Sequence, residues 1–291
     1  MYPAPFRYHR PMTLQDALLL LVRYAPNSAI LAGGQSLIPL MNLRKVRPGT
    51  LIDIGRIPGL SRMSFSDGVF SVGAMVRHQS LCEGEVERLG LPICFLRVLK
   101  QIGSQIGNLA IRHRGTFGGS LALANPASQW TLLSVLLDAN VVIASTRGTR
   151  RQRYADVLGP PAQTWLGPDE VVLGADMRLS NLNEVFGFAQ VAPSAGRPAM
   201  AFSLVATQRD DDRILNCRIA IGACTPRPLR LYSLENELAN SRRAWREDIA
   251  LADIIRSEVG HLQMIEGTDC RYAREIAVAA ITRALKQAMM Q

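Results

Sequence analysis

The chain has 291 residues, 48% of them hydrophobic and 20% charged, enough for a substantial core divided among two or three packed units. Lysine and arginine number 33 against 24 aspartates and glutamates, a formal charge of +9; this suits an anionic ligand, an acidic partner or nucleic acid without choosing among them. The longest apolar runs, such as Ala17 to Val22, fall far below the roughly 20 residues of a membrane span, and MYPAPFRYHRP has no apolar signal-peptide region, so a soluble cytoplasmic protein is expected.

In chain order, Thr13 is a candidate N-cap for a helix with Leu14, Ala17, Leu18, Leu21 and Val22 at helical spacing, interrupted by Pro26. A short apolar run, Ala29 to Ala32, ends in Gly33 and Gly34 and predicts a strand followed by a glycine turn. Thr50 to Ile54 and Val69 to Met75 predict further strands, the latter opened by the turn signal Asp67-Gly68. Leu91 to Ile106 reads as a helix and runs into a second glycine-rich segment. Trp130 to Leu137 predicts a helix and Val141 to Ser145 a strand, an alternation typical of an α/β or α+β unit. RGTRRQR at 147–153 lacks interleaved aromatic residues and reads as a solvated turn or a partner-facing patch. After a Pro/Gly loop at Gly159 to Gly167, Glu170 to Leu179, Val185 to Val191, Ala199 to Gln208 and Ile214 to Ile221 predict successive strands of an antiparallel sheet. Helices are expected at Leu229 to Leu238, Ile249 to Val259 and Arg271 to Met289, and a domain boundary near 175.

Cys82, Cys94, Cys217, Cys224 and Cys270 are scattered, with no C-x-x-C pair. That spacing argues against a disulfide framework, a zinc site or a cysteine-held iron–sulfur cluster, and favours buried reduced thiols. His9, His78, His113 and His261 are equally dispersed and read as packing or surface residues. No nucleophile, paired carboxylate or metal-ligand set stands out, so no catalytic and no metal-binding residue is assigned.

Two segments carry chemistry. Gly33-Gly34-Gln35-Ser36 and Thr116-Phe117-Gly118-Gly119-Ser120 each pair two glycines with hydroxyl donors. Glycine permits positive φ and close backbone approach, as a loop that presents N–H groups to a pyrophosphate requires; a plain turn explains either segment alone. Neither G-x-G-x-x-G after a strand nor G-x-x-x-x-G-K-[ST] is present. Arg112 and Arg114 are candidates for phosphate contact or ordinary loop charges, and Asn108 for a polar ring edge.

AGGQSLIPLMNLR at 32–44, VGAMVRHQSL at 72–81 and IGNLAIRHRGTFGGSLALANPASQW at 106–130 together resemble the FAD-binding medium subunit of the molybdenum hydroxylases, the family of xanthine dehydrogenase and aerobic carbon monoxide dehydrogenase. VVLGADMRL at 171–179 and IAIGACTPRPLRLYSLENELAN at 219–240 extend the resemblance more weakly. It implies an α+β fold: a split α/β FAD-binding domain of the vanillyl-alcohol-oxidase type at 1–175, with subdomains of about 1–56 and 57–175. A small C-terminal domain of antiparallel sheet and helices follows at 176–291. Carried over by residue, Ala32, Gly33, Gly34, Gln35, Ser36 and Leu37 form one pyrophosphate loop, and Thr116, Gly118, Gly119 and Ser120 the other. Ile106, Gly107 and Asn108 lie beside the flavin, and Gln129 on its adenosine side.

Three positions depart from the family pattern. Gln35 stands where many relatives carry histidine, Gln129 where an acidic residue is usual, and FAQVAPSAGRPA at 188–199 offers only Gln190 and Arg197 in place of a lysine and paired arginines. The resemblance further implies an electron outlet: FAD in this chain, with molybdopterin cofactor and two [2Fe-2S] clusters in a large molybdenum subunit and a small iron–sulfur subunit, assembled as a dimer of heterotrimers. A self-sufficient flavin oxidoreductase would need a catalytic acid or base of its own. A basic nucleic-acid-binding module would leave the glycines as structural turns.

Overall fold

The computed structural model describes residues 2–159, 165–194, 197–210, 213–240 and 248–290. Its first unit holds β1 (Arg7–His9), α1 (Leu14–Tyr24), β2 (Ser28–Leu31), α2 (Leu37–Asn42) and β3 (Thr50–Asp53). The strands form a parallel sheet in the order β1-β3-β2, with Thr50 of β3 facing Arg7 on one side and Ser28 on the other. Thr13 caps α1 as expected, its Oγ1 accepting from the Asp16 N–H at 3.1 Å. Ala17, Leu18 and Leu21 then turn one face of α1 into a core with Ile52, Ile54 and Met75.

The second unit contains β4 (Met63–Ser66), β5 (Val69–Gly73), α3 (Ile93–Ser104), α4 (Leu109–Arg114), α5 (Phe117–Leu123), α6 (Gln129–Leu136), β6 (Asn140–Ser145), β7 (Gly148–Arg153), α7 (Tyr154–Val157) and β8 (Val171–Arg178). Its antiparallel sheet has the order β4-β5-β8-β6-β7. Two expectations are corrected here. RGTRRQR is an edge strand rather than a turn, because Arg153 to Gly148 pair residue by residue with Asn140 to Ser145. Glu170 to Leu179 does not join the later strands: β8 lies between β5 and β6, and the change of sheet falls between Arg178 and Val185. The Pro/Gly loop at Gly159 to Gly167 lies partly outside the described residues.

The third unit is β9 (Val185–Val191), β10 (Ala201–Asp210), β11 (Arg213–Gly222), β12 (Leu229–Arg230), α8 (Tyr232–Asn240), α9 (Asp248–Gly260) and α10 (Cys270–Met289). The helix expected from Leu229 begins three residues later, since Leu229 and Arg230 pair with Ile221 and Ala220 as β12. In β10, period-two alternation sends Phe202 and Leu204 into the core shared with α3 and α6, and Ala201 and Val205 into the core shared with α8, α9 and α10. Both faces are therefore covered. Phe186 and Phe188 of β9 join Phe95 and Trp130 in the first of these cores, so the second and third units share one hydrophobic interior.

All five cysteines are free; Cys82, Cys217 and Cys224 are buried and Cys94 half-buried, but Cys270 is exposed, contrary to expectation. Among the described residues no helix is long and apolar enough to cross a membrane. Nor is any group of three or more histidine, cysteine or acidic residues placed to hold a metal ion.

Candidate cofactor site

A cavity of about 900 Å³ opens where the first and second units meet, and both glycine segments line it. Its size lies toward the upper end of the roughly 300–1,000 Å³ usual for cofactor and small-molecule sites. Ala32, Gly33, Gly34, Gln35, Ser36 and Leu37 run along one wall, between the end of β2 and the start of α2. Gly34 has φ +73, a conformation that costs an L-residue about 1–2 kcal/mol. A Cβ on Gly33 would strike the Arg114 carbonyl oxygen and come within 2.8 Å of the Gly115 Cα. This glycine is what lets the two loops touch.

Among the described residues the N–H groups of Gly34, Gln35 and Ser36 find no acceptor, and the Ser36 hydroxyl caps nothing. The Gln35 side chain is engaged locally, its Nε2 donating to the Gly33 carbonyl at 3.3 Å. Unpaired donors beside a cavity are costly unless water or a ligand completes them. The first loop therefore has the donor set an anion requires.

The second loop is built differently. Thr116, Gly118, Gly119 and Ser120 line the cavity, but their segment's N–H groups are already taken. Phe117 donates to Val76 O at 2.9 Å, Gly118 to Ala74 O at 2.9 Å and Ser120 to Thr116 O at 3.1 Å. Gly119 donates to Thr116 Oγ1 at 3.2 Å, which caps α5. Gly118 is glycine because Ala74 fills the space its Cβ would need. A hydroxyl that accepts a backbone N–H keeps its own proton to donate, so this loop offers the hydroxyls of Thr116 and Ser120 where the first offers backbone N–H groups.

Ile106 and Gln129 also line the cavity, whereas Gly107 and Asn108 do not. Asn108 instead caps α4 nearby, its Oδ1 accepting from the Ile111 N–H at 3.0 Å. Arg112 is a strut for the same turn, donating to the carbonyls of Ser104, Ile106 and Gly107 at 3.2–3.3 Å and to Gln79 Oε1 at 3.0 Å. Arg114 does not line the cavity; its carbonyl lies against Gly33 and accepts from the Arg77 guanidinium. Gln129, 9% exposed at the first turn of α6, makes no side-chain hydrogen bond among the described residues. From the third unit, Gln190 donates to Gln105 Oε1 at 2.8 Å, next to Ile106. The 188–199 segment lies partly outside the described residues, which omit 195 and 196.

Among the described residues no arginine or lysine lines the cavity; the charged side chain there is Glu170. Burial works to raise its pKa, but Arg150 at 3.0 Å and the Gly167 N–H at 2.9 Å outweigh it, and the carboxylate stays ionised below its usual range. One lining residue, within the 72–81 segment, reads in sequence only as a packing or surface residue. His78 is 6% exposed, its Nδ1 accepts from the Trp130 indole at 3.0 Å, and burial, helped by Arg77, lowers its pKa to about 4. A lone histidine beside no other ligand residue gives no signal in sequence.

Residues 4–176 match the family model described as the FAD binding domain in molybdopterin dehydrogenase. The chain is 32% identical over 239 residues to caffeine dehydrogenase subunit beta of Pseudomonas sp. (strain CBB1), covering 82% of this chain and 79% of that one. With the nicotine 6-hydroxylase medium subunit of Paenarthrobacter nicotinovorans it shares 29% identity over 97% of this chain and 96% of that one. Carbon monoxide dehydrogenase from Hydrogenophaga pseudoflava superposes with a TM-score of 0.90 at 26% identity, over 100% of this chain and 99% of the other. The quinoline 2-oxidoreductase of Pseudomonas putida 86 does so with a TM-score of 0.90 at 27% identity and the same coverage. The chain belongs to the FAD-binding medium subunits of the molybdenum hydroxylase family.

Proposed function

We propose that this chain is the electron outlet of a heteromeric molybdenum hydroxylase, passing electrons from [2Fe-2S] clusters of a small partner subunit to an external acceptor. The observation that carries the reading is the unpaired N–H row of Gly34, Gln35 and Ser36, residues that line one cavity together with the Thr116–Ser120 turn. This donor set fits FAD. The first loop would hold the pyrophosphate by backbone N–H groups and the Ser36 hydroxyl, and Thr116 and Ser120 would add hydroxyl donors. The unpartnered amide of Gln129 suits the adenosine side, and Ile106 the flavin side. Gly107 and Asn108 would act one step removed, by shaping the turn that carries Ile106.

The chemistry FAD supplies when bound is the exchange between one-electron and two-electron transfer. The chain's own contribution is to bind, orient and shield. Its lining is mostly neutral, Glu170 is tied to Arg150, and His78 is neutral near pH 7, so among the described residues the cavity holds no free acid or base for substrate chemistry. That favours an outlet over a self-sufficient oxidoreductase. Substrate oxidation would then fall to a large molybdenum subunit.

The first two units would form a split flavin domain of the vanillyl-alcohol-oxidase type, up to about residue 175, and the remainder a C-terminal domain. A cytoplasmic dimer of heterotrimers completes the proposal; five free thiols suit a reducing compartment. The test is co-expression with its genomic neighbours, followed by flavin spectroscopy and molybdenum and iron assays of the purified complex. Bound FAD with molybdenum and iron in the co-purifying chains is the expected result. A full chain that takes up no FAD when supplied with it would overturn the reading.

A further inference from the structure

The second glycine loop has engaged its own N–H groups, so a dinucleotide held between the loops depends on side-chain donors on that side, of which the Thr116 and Ser120 hydroxyls are two. His78 stands there. A Cβ on Gly115 would lie 2.5 Å from His78 Nε2 and 2.6 Å from Cδ2, so that edge of the ring rests on the bare Gly115 backbone. The same glycine meets Gly33 of the first loop. His78 therefore faces the junction of the two loops, while its backbone N–H donates to the Gly115 carbonyl at 3.1 Å and locks the residue in place.

The tautomer follows from its partner. An indole N–H can only donate, so the His78 Nδ1 that receives it at 3.0 Å must carry the lone pair, and the proton of the neutral ring sits on Nε2. Among the described residues that Nε2–H has no acceptor, although the side chain is 6% exposed and lines the cavity. Resting on the FAD reading above, we propose that His78 is a cofactor-positioning residue whose Nε2–H, fixed by Trp130, donates to a pyrophosphate oxygen of FAD. The shift of its pKa to about 4 keeps the ring in this donor form at neutral pH. The Trp130 indole acts on the cofactor only through the ring it orients.

The experiment uses the full chain stripped of flavin and titrated with FAD. His78→Asn keeps an acceptor for Trp130 but lacks a group at the Nε2 position, and His78→Gln restores a donor near it. Losing one hydrogen bond to an anion predicts about tenfold to a hundredfold weaker binding in His78→Asn, with recovery in His78→Gln. Imidazole nitrogen NMR on the wild-type chain gives a second readout: an Nε2–H tautomer whose signal shifts when FAD is added. Unchanged FAD affinity in His78→Asn, or an Nδ1–H or charged ring in the wild type, would overturn the proposal. Failure of the wild type itself to bind FAD would instead overturn the functional reading.

Discussion

Gly33 and Gly34 share a dipeptide but act by different means. At Gly33 any Cβ collides with the Arg114 carbonyl, so Gly33→Ala must push the two loops apart. At Gly34 the obstacle is the positive φ, with Leu31 and Ile38 side chains 3.3 and 3.2 Å from a Cβ, so a branched residue suffers more than alanine. Gly33→Ala and Gly34→Val should both lower the ratio of flavin to protein after gel filtration, whereas Gly119→Ala, whose Cβ meets only Thr116 Oγ1 at 2.8 Å, should lose less. Full retention in the first two would remove the first loop from the site. These glycines are legible in sequence because close backbone approach and a positive φ limit the choice of residue. Asn108 and Gly107 are legible for a related reason, since a helix cap and a positive-φ turn favour the same residue types, though neither lines the cavity. His78 yields a separate prediction. Its folded pKa of about 4 lies below the unfolded value near 6.5, so the unfolded chain binds a proton first as pH falls. Stability from this group is complete above about pH 6.5 and declines by about 1.4 kcal/mol per unit toward pH 4, about 3 kcal/mol in all. Urea unfolding at pH 7 and 4.5 should show this loss in the wild type and a smaller one in His78→Asn; equal losses would refute the assignment.

Strand β7 shows how charge at the scale of an element differs from charge in a count. Its arginines look like a polybasic patch in sequence, yet each is paired across the sheet or at its end: Arg147 with Asp169 at 2.6 Å, Arg150 with Glu170 at 3.0 Å, Arg151 with Asp176 at 3.3 Å and Arg153 with Asp138 at 2.5 Å. Charged side chains also protect an edge strand from pairing with another chain. Such exposed pairs contribute about 0–1 kcal/mol each. Single reversals such as Arg151→Glu should therefore shift the urea midpoint little and leave FAD affinity unchanged. Because no arginine or lysine lines the cavity among the described residues, FAD affinity should also vary little between low and moderate salt, as expected of neutral donors rather than a charged funnel. A steep decline with salt would mean that cations hold the pyrophosphate after all. β7 is hidden in sequence because Arg, Gln and Thr at 149–153 give no apolar alternation; its strand state comes from the partner β6. The three-residue β1, exposed along most of its length, is hidden for the same reason. The longer apolar strands and helices, such as Val185 to Val191 and α10, are legible because their burial leaves a period in the sequence.

At the scale of the molecule, what sequence could not supply was sheet membership, which depends on pairing between distant residues. β8 follows a loop and precedes the four strands of an antiparallel sheet, so chain order alone groups it with them; pairing with β5, roughly a hundred residues earlier, removes it. The shared core has a further consequence. All fourteen residues expected at the cofactor lie before Arg178, and a fragment ending there would keep every one. It would nevertheless lose Phe186, Phe188, Phe202 and Leu204, which cover Phe95 and the other inward side chains of α3 and α6. At about 1.5–3 kcal/mol for each large apolar side chain buried, those four alone contribute about 6–12 kcal/mol, comparable with the whole stability of a typical domain, about 5–15 kcal/mol. The fragment 1–178 should therefore fail to hold FAD despite an intact set of site residues, show weak near-ultraviolet circular dichroism and expose apolar surface to a hydrophobic dye. The full chain should unfold with its flavin and its C-terminal helices in one transition. If the fragment instead binds FAD and unfolds cooperatively, the third unit is an appendage, and the core that joins it to α3 and α6 is dispensable for the site.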